Sequence, residues 1–240
     1  MVSDPPTFPG ATAVSGLSVY PWEAADGLCG GSPHMHLTCT EAYVVVSGEG
    51  AVQTLTAGGL TETPLTAGAV VWFGPGTIHR AVNTDGALRA IVVMQNSGLP
   101  EAGDAVFTFA PEILADPDAY RKAAVLAEPS EESARARRDL AVAGFRQLAD
   151  RMAAGDTGAL ERFYRAALAC KRDRLDEWER IWRAGPVAAT QRTGDQLAQL
   201  RDGKFEHLLR AEVGVAHPPA EADRRFGMCG RLDTYPLAPR

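Results

Sequence analysis

The chain is short of sulfur, of basic charge and of long apolar runs. Its 240 residues hold four cysteines, Cys29, Cys39, Cys170 and Cys229, widely scattered and without a C-x-x-C pair. That spacing excludes a zinc ribbon or a disulfide framework and suits reduced thiols in a cytoplasmic protein. The 24 lysines and arginines are outnumbered by 30 acidic residues, giving a net charge of -6. No basic stripe is left to carry a nucleic-acid surface. No uninterrupted apolar stretch reaches the length of a bilayer span, so no membrane partner is expected. Met1-Val2-Ser3-Asp4-Pro5-Pro6 lacks the basic-then-apolar order of a signal peptide. The phosphate-binding pattern G-x-x-x-x-G-K-[ST], a serine-nucleophile motif and an internal repeat are all missing.

Histidine is scarce as well, with five in the chain, and three of them fall into one constellation: His34-Met35-His36, then Glu41, and later His79. Imidazole and carboxylate are the ligands of borderline divalent metals, and four of them make a usable first shell. In a strand, His34 and His36 point the same way. A short turn through Thr38, Cys39 and Thr40 would return the chain as a local hairpin, bringing Glu41 to both histidines from the neighbouring strand. His79 is the natural fourth ligand. The plainer alternative, histidines packed in an apolar core, has to be weighed against the punctuation around them. Cys39 reads as a small turn residue facing away from the site.

Ser32-Pro33-His34-Met35-His36-Leu37-Thr38-Cys39-Thr40-Glu41, with Gly48 after six further residues, resembles the first motif of the cupin superfamily. Gly68-Ala69-Val70-Val71-Trp72-Phe73-Gly74-Pro75-Gly76-Thr77-Ile78-His79, then Asn83, resembles the second. Two positions depart from the pattern. Leu28 stands where a glycine is usual six residues before the first histidine, and the motif proline falls one place late, at Pro75. Neither departure touches a ligand position. The resemblance covers roughly residues 15 to 100. It implies a small β-barrel, a double-stranded β-helix or jelly roll, with a metal inside held by His34, His36, Glu41 and His79.

The rest of the text agrees with a mainly β first half and an α-helical second half. From Leu17 to about Gln95, short β-branched runs alternate with glycine turns about every ten residues, the signature of an antiparallel sandwich or barrel. Parity turns Tyr43 and Val45 inward with Glu41, and Ala81 and Asn83 inward with His79. Tyr43 is thus a candidate acid-base or substrate contact beside the metal, although a phenol packed in the barrel is the simpler account. Residues 1–15 read as a loose lead-in.

Beyond Gly98-Leu-Pro100, Asp116-Pro117-Asp118 predicts a helix start, running to about Ala127, and Ser130-Glu131-Glu132 another. In that second helix, Leu140, Phe145, Leu148 and Met152 take one side, while Arg135, Arg137 and Arg138 belong to a solvated face. The longest helix is expected over about 158–183, buried along Leu160, Tyr164, Leu168, Leu175, Trp178 and Trp182 and stopped by Gly185-Pro186. The stripe packs on the barrel or a sister helix, or forms a homodimer surface. His207 and His217 match no ligand spacing. The apolar end, from Phe226 to Pro236, is expected to pack back on the body. The division is a barrel with its lead-in over 1–110 and a helical extension over 111–240.

A site of three imidazoles and one carboxylate implies one divalent metal ion per chain, Fe(II) or Mn(II) first, with nickel, zinc or copper as alternatives. Within the family resemblance, the expected activity is a metal-dependent oxidoreductase of dioxygenase type acting on a small polar organic substrate. The alternatives are a sugar isomerase or epimerase, and a non-catalytic metal-containing binding or sensing module.

Overall fold

Residues 8–235 are described in a computed structural model; the signal-peptide reading of Met1–Pro6, the start of the lead-in and the last residues after Tyr235 lie outside them. Among the described residues nine strands run through the first half, most of them short β-branched or apolar stretches ended by a turn or bend. They are β1 (Ala13–Val19), β2 (His34–His36), β3 (Glu41–Ser47), β4 (Glu49–Thr56), β5 (Gly59–Thr66), β6 (Val70–Phe73), β7 (Ile78–Asn83), β8 (Arg89–Met94) and β9 (Ala105–Phe107). The apolar chain end returns as β10 (Arg225–Phe226) and β11 (Gly230–Thr234) and pairs with β1. Two antiparallel sheets result, ordered β10-β11-β1-β8-β3-β6 and β5-β4-β7-β2-β9.

The alternation of the strands fills the space between the sheets. Leu17, Tyr43, Val45, Val52, Leu65, Phe73, Ala81, Ala90 and Val92 meet there as one buried cluster, which places Tyr43, Val45 and Ala81 as parity requires. Asn83 also points in, donating to Val19 O and accepting from Leu88 N. Motif glycine Gly48 sits at φ 79°, and a Cβ there would stand 2.4 Å from the backbone of Ala87, so the β3–β4 corner admits no side chain.

The local hairpin expected between the histidines and Glu41 does not form. β2 pairs with β7 and β9, whereas β3 pairs with β6 and β8 in the other sheet. Thr38–Thr40 is a crossing between sheets, and Glu41 reaches the histidines across the interior instead of along a shared ladder.

The second half carries α1 (Pro111–Leu114), α2 (Pro117–Ala124), α3 (Glu131–Ala153), α4 (Ala159–Lys171), α5 (Leu175–Trp182) and α6 (Ala188–Arg201). Asp116 caps α2 by accepting from Asp118 N, and Ser130 forms a capping box with Ser133 at the start of α3. α3 and α4 cover the outer face of the five-stranded sheet. There Phe145, Leu148, Leu160 and Phe163 pack with Met35, Ile78 and Val106, side chains whose strand neighbours point into the barrel.

Four helical expectations need correction. The stretch from 158 to 183 is not one helix: a 3-10 turn at Arg172–Arg174 separates α4 from α5, and α3 is the longest helix. Gly185-Pro186 does not stop the chain either. A π-turn over Arg183–Val187 absorbs the proline, and α6 follows directly. The buried line runs through Leu160, Phe163, Ala167, Cys170 and Trp178, while Leu168, Leu175 and Trp182 are over 40% exposed. The fourth correction is Arg138, which is 1% exposed. Its guanidinium donates to Trp22 O (2.6 Å) and Glu23 O (2.8 Å), satisfying a loop that no strand covers. Among the described residues no helix is long and apolar enough to cross a membrane.

Candidate metal centre

Strand pairing sets His34 directly opposite His79, with their rings 4.3 Å apart. His36 follows two residues along on the same face, and Glu41 comes from the first position of β3 in the opposing sheet. One nitrogen from each histidine and one carboxylate oxygen all lie within 4.8 Å of one another, and all four residues are buried. The turn ahead of His79 is pinned to the same place: Gly76 N donates to His36 O (2.9 Å), and Gly76 takes φ 84°.

Each imidazole is held by its Nδ1. His34 Nδ1 bonds Ser32 O (2.9 Å), His79 Nδ1 bonds Thr77 O (3.1 Å), and His36 Nδ1 bonds Asp104 Oδ1 (2.6 Å). A backbone carbonyl only accepts, so Nδ1 of His34 and of His79 carries the proton and Nε2 is left as the bare donor facing the centre. Glu41 Oε2 lies 3.1 Å from His79 Nε2 and 3.3 Å from His36 Nε2. The alignment is not that of a hydrogen bond, and both Glu41 Oε2 and His79 Nε2 are buried without a partner. Orphaned buried polar atoms are rare, and a shared cation would satisfy these two.

The electrostatics favour positive charge at this point. Burial pushes Glu41 up, but His79 and His36 outweigh it and hold its carboxyl well below the usual range. Burial pulls His36 down, yet Asp104 and Glu41 on either side lift it to about 10. Asp104, also opposed by burial, is held below its ordinary value by His36. His34 is pushed well below an ordinary imidazole, first by burial and then by the two neighbouring histidines. Two carboxylates thus flank a buried spot lined by imidazole nitrogens, a donor set that fits a divalent cation.

Tyr43 stands on the inner wall beside the cluster, 1% exposed, its ring edge-on to Phe73, which in turn lies 4.2 Å from the His79 ring. Its hydroxyl lies 3.4 Å from Cys229 Sγ. Burial, with Cys229 and Glu41 nearby, keeps the phenol well above its ordinary value, so it is a proton-bearing group at neutral pH. Burial likewise pushes the Cys229 thiol up to about 12.

Two of these residues escape a sequence reading. Asp104 precedes the short β9 and matches no ligand spacing; in sequence it looks like any turn aspartate. Cys229 arrives from the far end of the chain because β11 completes the sheet beside β1. Cys39, expected as a turn residue facing away from the site, offers no atom to the cluster; it is buried in the core beside Asp104. All four cysteines are free thiols.

The helical half touches the centre through the Asp104 loop. Lys171 Nζ donates to Gly103 O (2.7 Å), while Arg174 and Trp178 Nε1 both donate to Ala102 O (3.2 Å each). Tyr164 OH donates to Gly76 O (2.9 Å) on the turn before His79. α4 and α5 therefore clamp both the loop that orients His36 and the turn that presents His79.

Two facing antiparallel sheets with a three-histidine, one-glutamate cluster between them define a double-stranded β-helix barrel built around a metal-type site. Residues 22–94 match the family model described as "Cupin domain", so this chain carries a cupin barrel, followed by helices. No curated protein matches the chain by sequence. Among solved structures it is similar to the capsular polysaccharide assembling protein CapF from Staphylococcus aureus, at 21% identity over 41% of this chain and 27% of that one (TM-score 0.35). A conserved protein with a double-stranded beta-helix domain from Klebsiella pneumoniae is 19% identical over 40% and 74% of the two chains (TM-score 0.31). An oxalate oxidase in complex with the substrate analogue glycolate is 24% identical over 38% and 53% (TM-score 0.28). The chain thus spans about a quarter of CapF.

Proposed function

We propose that the protein is a metal-dependent enzyme of dioxygenase type acting on a small polar organic molecule, with Fe(II) or Mn(II) held by His34, His36, Glu41 and His79. The observation that carries this reading is the buried convergence of four ligand atoms within 4.8 Å, two of them without any other partner. When bound, such an ion supplies Lewis acidity and one-electron chemistry towards dioxygen.

The chain's own residues do the rest. Ser32 O, Thr77 O and Asp104 fix the ring orientations, so the site needs little rearrangement to receive a cation. Tyr43 OH is the candidate polar contact on the inner wall, where its proton can be donated to a substrate oxygen. Phe73 and the apolar wall around it keep water from the reacting atoms. An isomerase would need a separate base, and the nearest carboxylate beyond the ligand set, Asp104, is already engaged by His36 and by Thr38 Oγ1 (3.1 Å). The homodimer belongs to the same proposal; a light-scattering mass of one chain would remove it.

The test is oxygen uptake by anaerobically purified, metal-loaded protein offered enediol and phenolic substrates. Uptake that disappears in His34→Ala supports the reading. No uptake with any of them, together with turnover of an aldose or ketose, would replace dioxygenase by isomerase chemistry. Asp104→Asn, which keeps the size but weakens the hold on His36, is expected to lower metal affinity roughly 10–100-fold in a competition titration with a fluorescent chelator. Unchanged affinity would show that Asp104 does not orient His36.

A further inference from the structure

In a chain of net charge -6, one surface cavity of about 500 Å³ is walled by four arginines. It lies between the segment after α2, the side of α3 and the β10–β11 hairpin. Arg224 is neutralised there: it donates to Asp233 Oδ1 (2.5 Å) and to Ser18 Oγ (2.8 Å). Among the described residues the other three have no carboxylate partner. Arg137 donates to Ala124 O (3.2 Å), Phe226 O (3.4 Å) and Gly227 O (2.9 Å), and its buried Nε has no acceptor among the described residues. Arg231 donates to Arg224 O (3.4 Å) while its guanidinium lies 3.5 Å from the centre of the Phe226 ring. Arg225 is exposed and bonds to no described side chain. Asp223 is the one carboxylate among the lining residues.

We propose that this cavity is a second ligand site, separate from the metal centre, for a small organic molecule bearing at least two negative oxyanion charges, a phosphate ester or a polycarboxylate. Guanidinium groups recognise both kinds of oxyanion through paired N–H donors, and such charge-assisted bonds are the strong ones. Two of the three arginines are already oriented: backbone carbonyls fix Arg137 and the Phe226 face fixes Arg231, so little side-chain freedom is lost on binding. The volume suits a small metabolite, and the Phe226–Arg231 stack offers an edge to a flat or ring-shaped body.

Isothermal titration of the full-length protein in 0.15 M NaCl, with phenyl phosphate and tricarballylate as probes, tests this. Saturable binding tighter than ~1 mM is expected for at least one of them. It should weaken at least ~10-fold in Arg225→Ala/Arg231→Gln and persist in His79→Ala, which separates it from the metal site. Arg225→Ala alone touches only an exposed side chain and serves if the double variant folds poorly. Phenyl phosphate alone would identify a phosphate-ester site, tricarballylate alone a polycarboxylate site. No saturable heat for either probe beyond a salt control, or an affinity unchanged in the arginine variants, would overturn the proposal.

Discussion

His79→Ala is expected to lose the metal outright, with affinity falling more than ~100-fold, beyond the cost of altering an outer contact. His79 is 0% exposed and lies opposite His34. Its removal takes away one of three nitrogen donors and opens a gap against Phe73, while Glu41 stays buried with one ring fewer beside it. Metal analysis after purification and after reconstitution reads the loss directly. Metal content equal to that of the unaltered protein would remove His79 from the ligand set. The barrel should still fold, because its core is built by Tyr43, Val45, Val52 and their neighbours, and unchanged circular dichroism would separate lost ligation from lost structure.

Asp26→Ala is expected to cost about 3 kcal/mol of stability, the low end for stripping a buried ion of its partner. Arg80, next to His79 in β7 but pointing to the opposite face, is 0% exposed and pairs with Asp26. Its other bonds, to Gly31 O (3.1 Å) and Leu28 O (3.3 Å), remain in the variant and temper the loss. For a chain of this length the unfolding midpoint should fall by ~6–12 °C. The effect depends on pH. Burial raises the Asp26 pKa, but the Arg80 hydrogen bond and charge outweigh it and hold the group below its ordinary 3.8. A depressed folded-state pKa means that the contribution is complete above about 3.8 and fades as the pH falls through the folded value. The difference between the two proteins should therefore be full at pH 7 and shrink towards pH 3. A difference that is small at pH 7, or constant with pH, would contradict this role for the pair.

The histidines, Glu41 and Tyr43 were legible because strand parity is rigid: once the period of two is recognised, an H-x-H pair must face one way, and the glycine and proline turns mark where each strand ends. What lay beyond that local rule was not legible. Glu41 meets the histidines across the barrel because β2 and β3 belong to different sheets, a choice made by long-range pairing. Asp104 and Cys229 come to the centre through β9 and β11 for the same reason. In the helical half the apolar periodicity found helices but not their buried side, since Leu168 and Trp182 differ from Phe163 and Trp178 only in where the sheet lies. Arg138 is a polar residue that the fold buries to satisfy carbonyls in a distant loop, and nothing in its neighbourhood along the chain announces that.

The helices gain a role from these contacts. By holding Ala102 O, Gly103 O and Gly76 O, α4 and α5 fix the backbone behind Asp104 and before His79. The barrel supplies the four candidate ligands, and the helical half supplies part of their orientation.

Everything proposed for this site depends on His34, His36, Glu41 and His79 holding one metal ion. X-ray absorption spectroscopy of the metal-loaded protein measures that sphere most directly. One ion per chain is expected, with imidazole scattering from three histidines and an oxygen ligand from one carboxylate, at about 2.0–2.2 Å if the ion is zinc-sized. A protein that takes up no ion, or a sphere containing sulfur or fewer than three imidazoles, would contradict it.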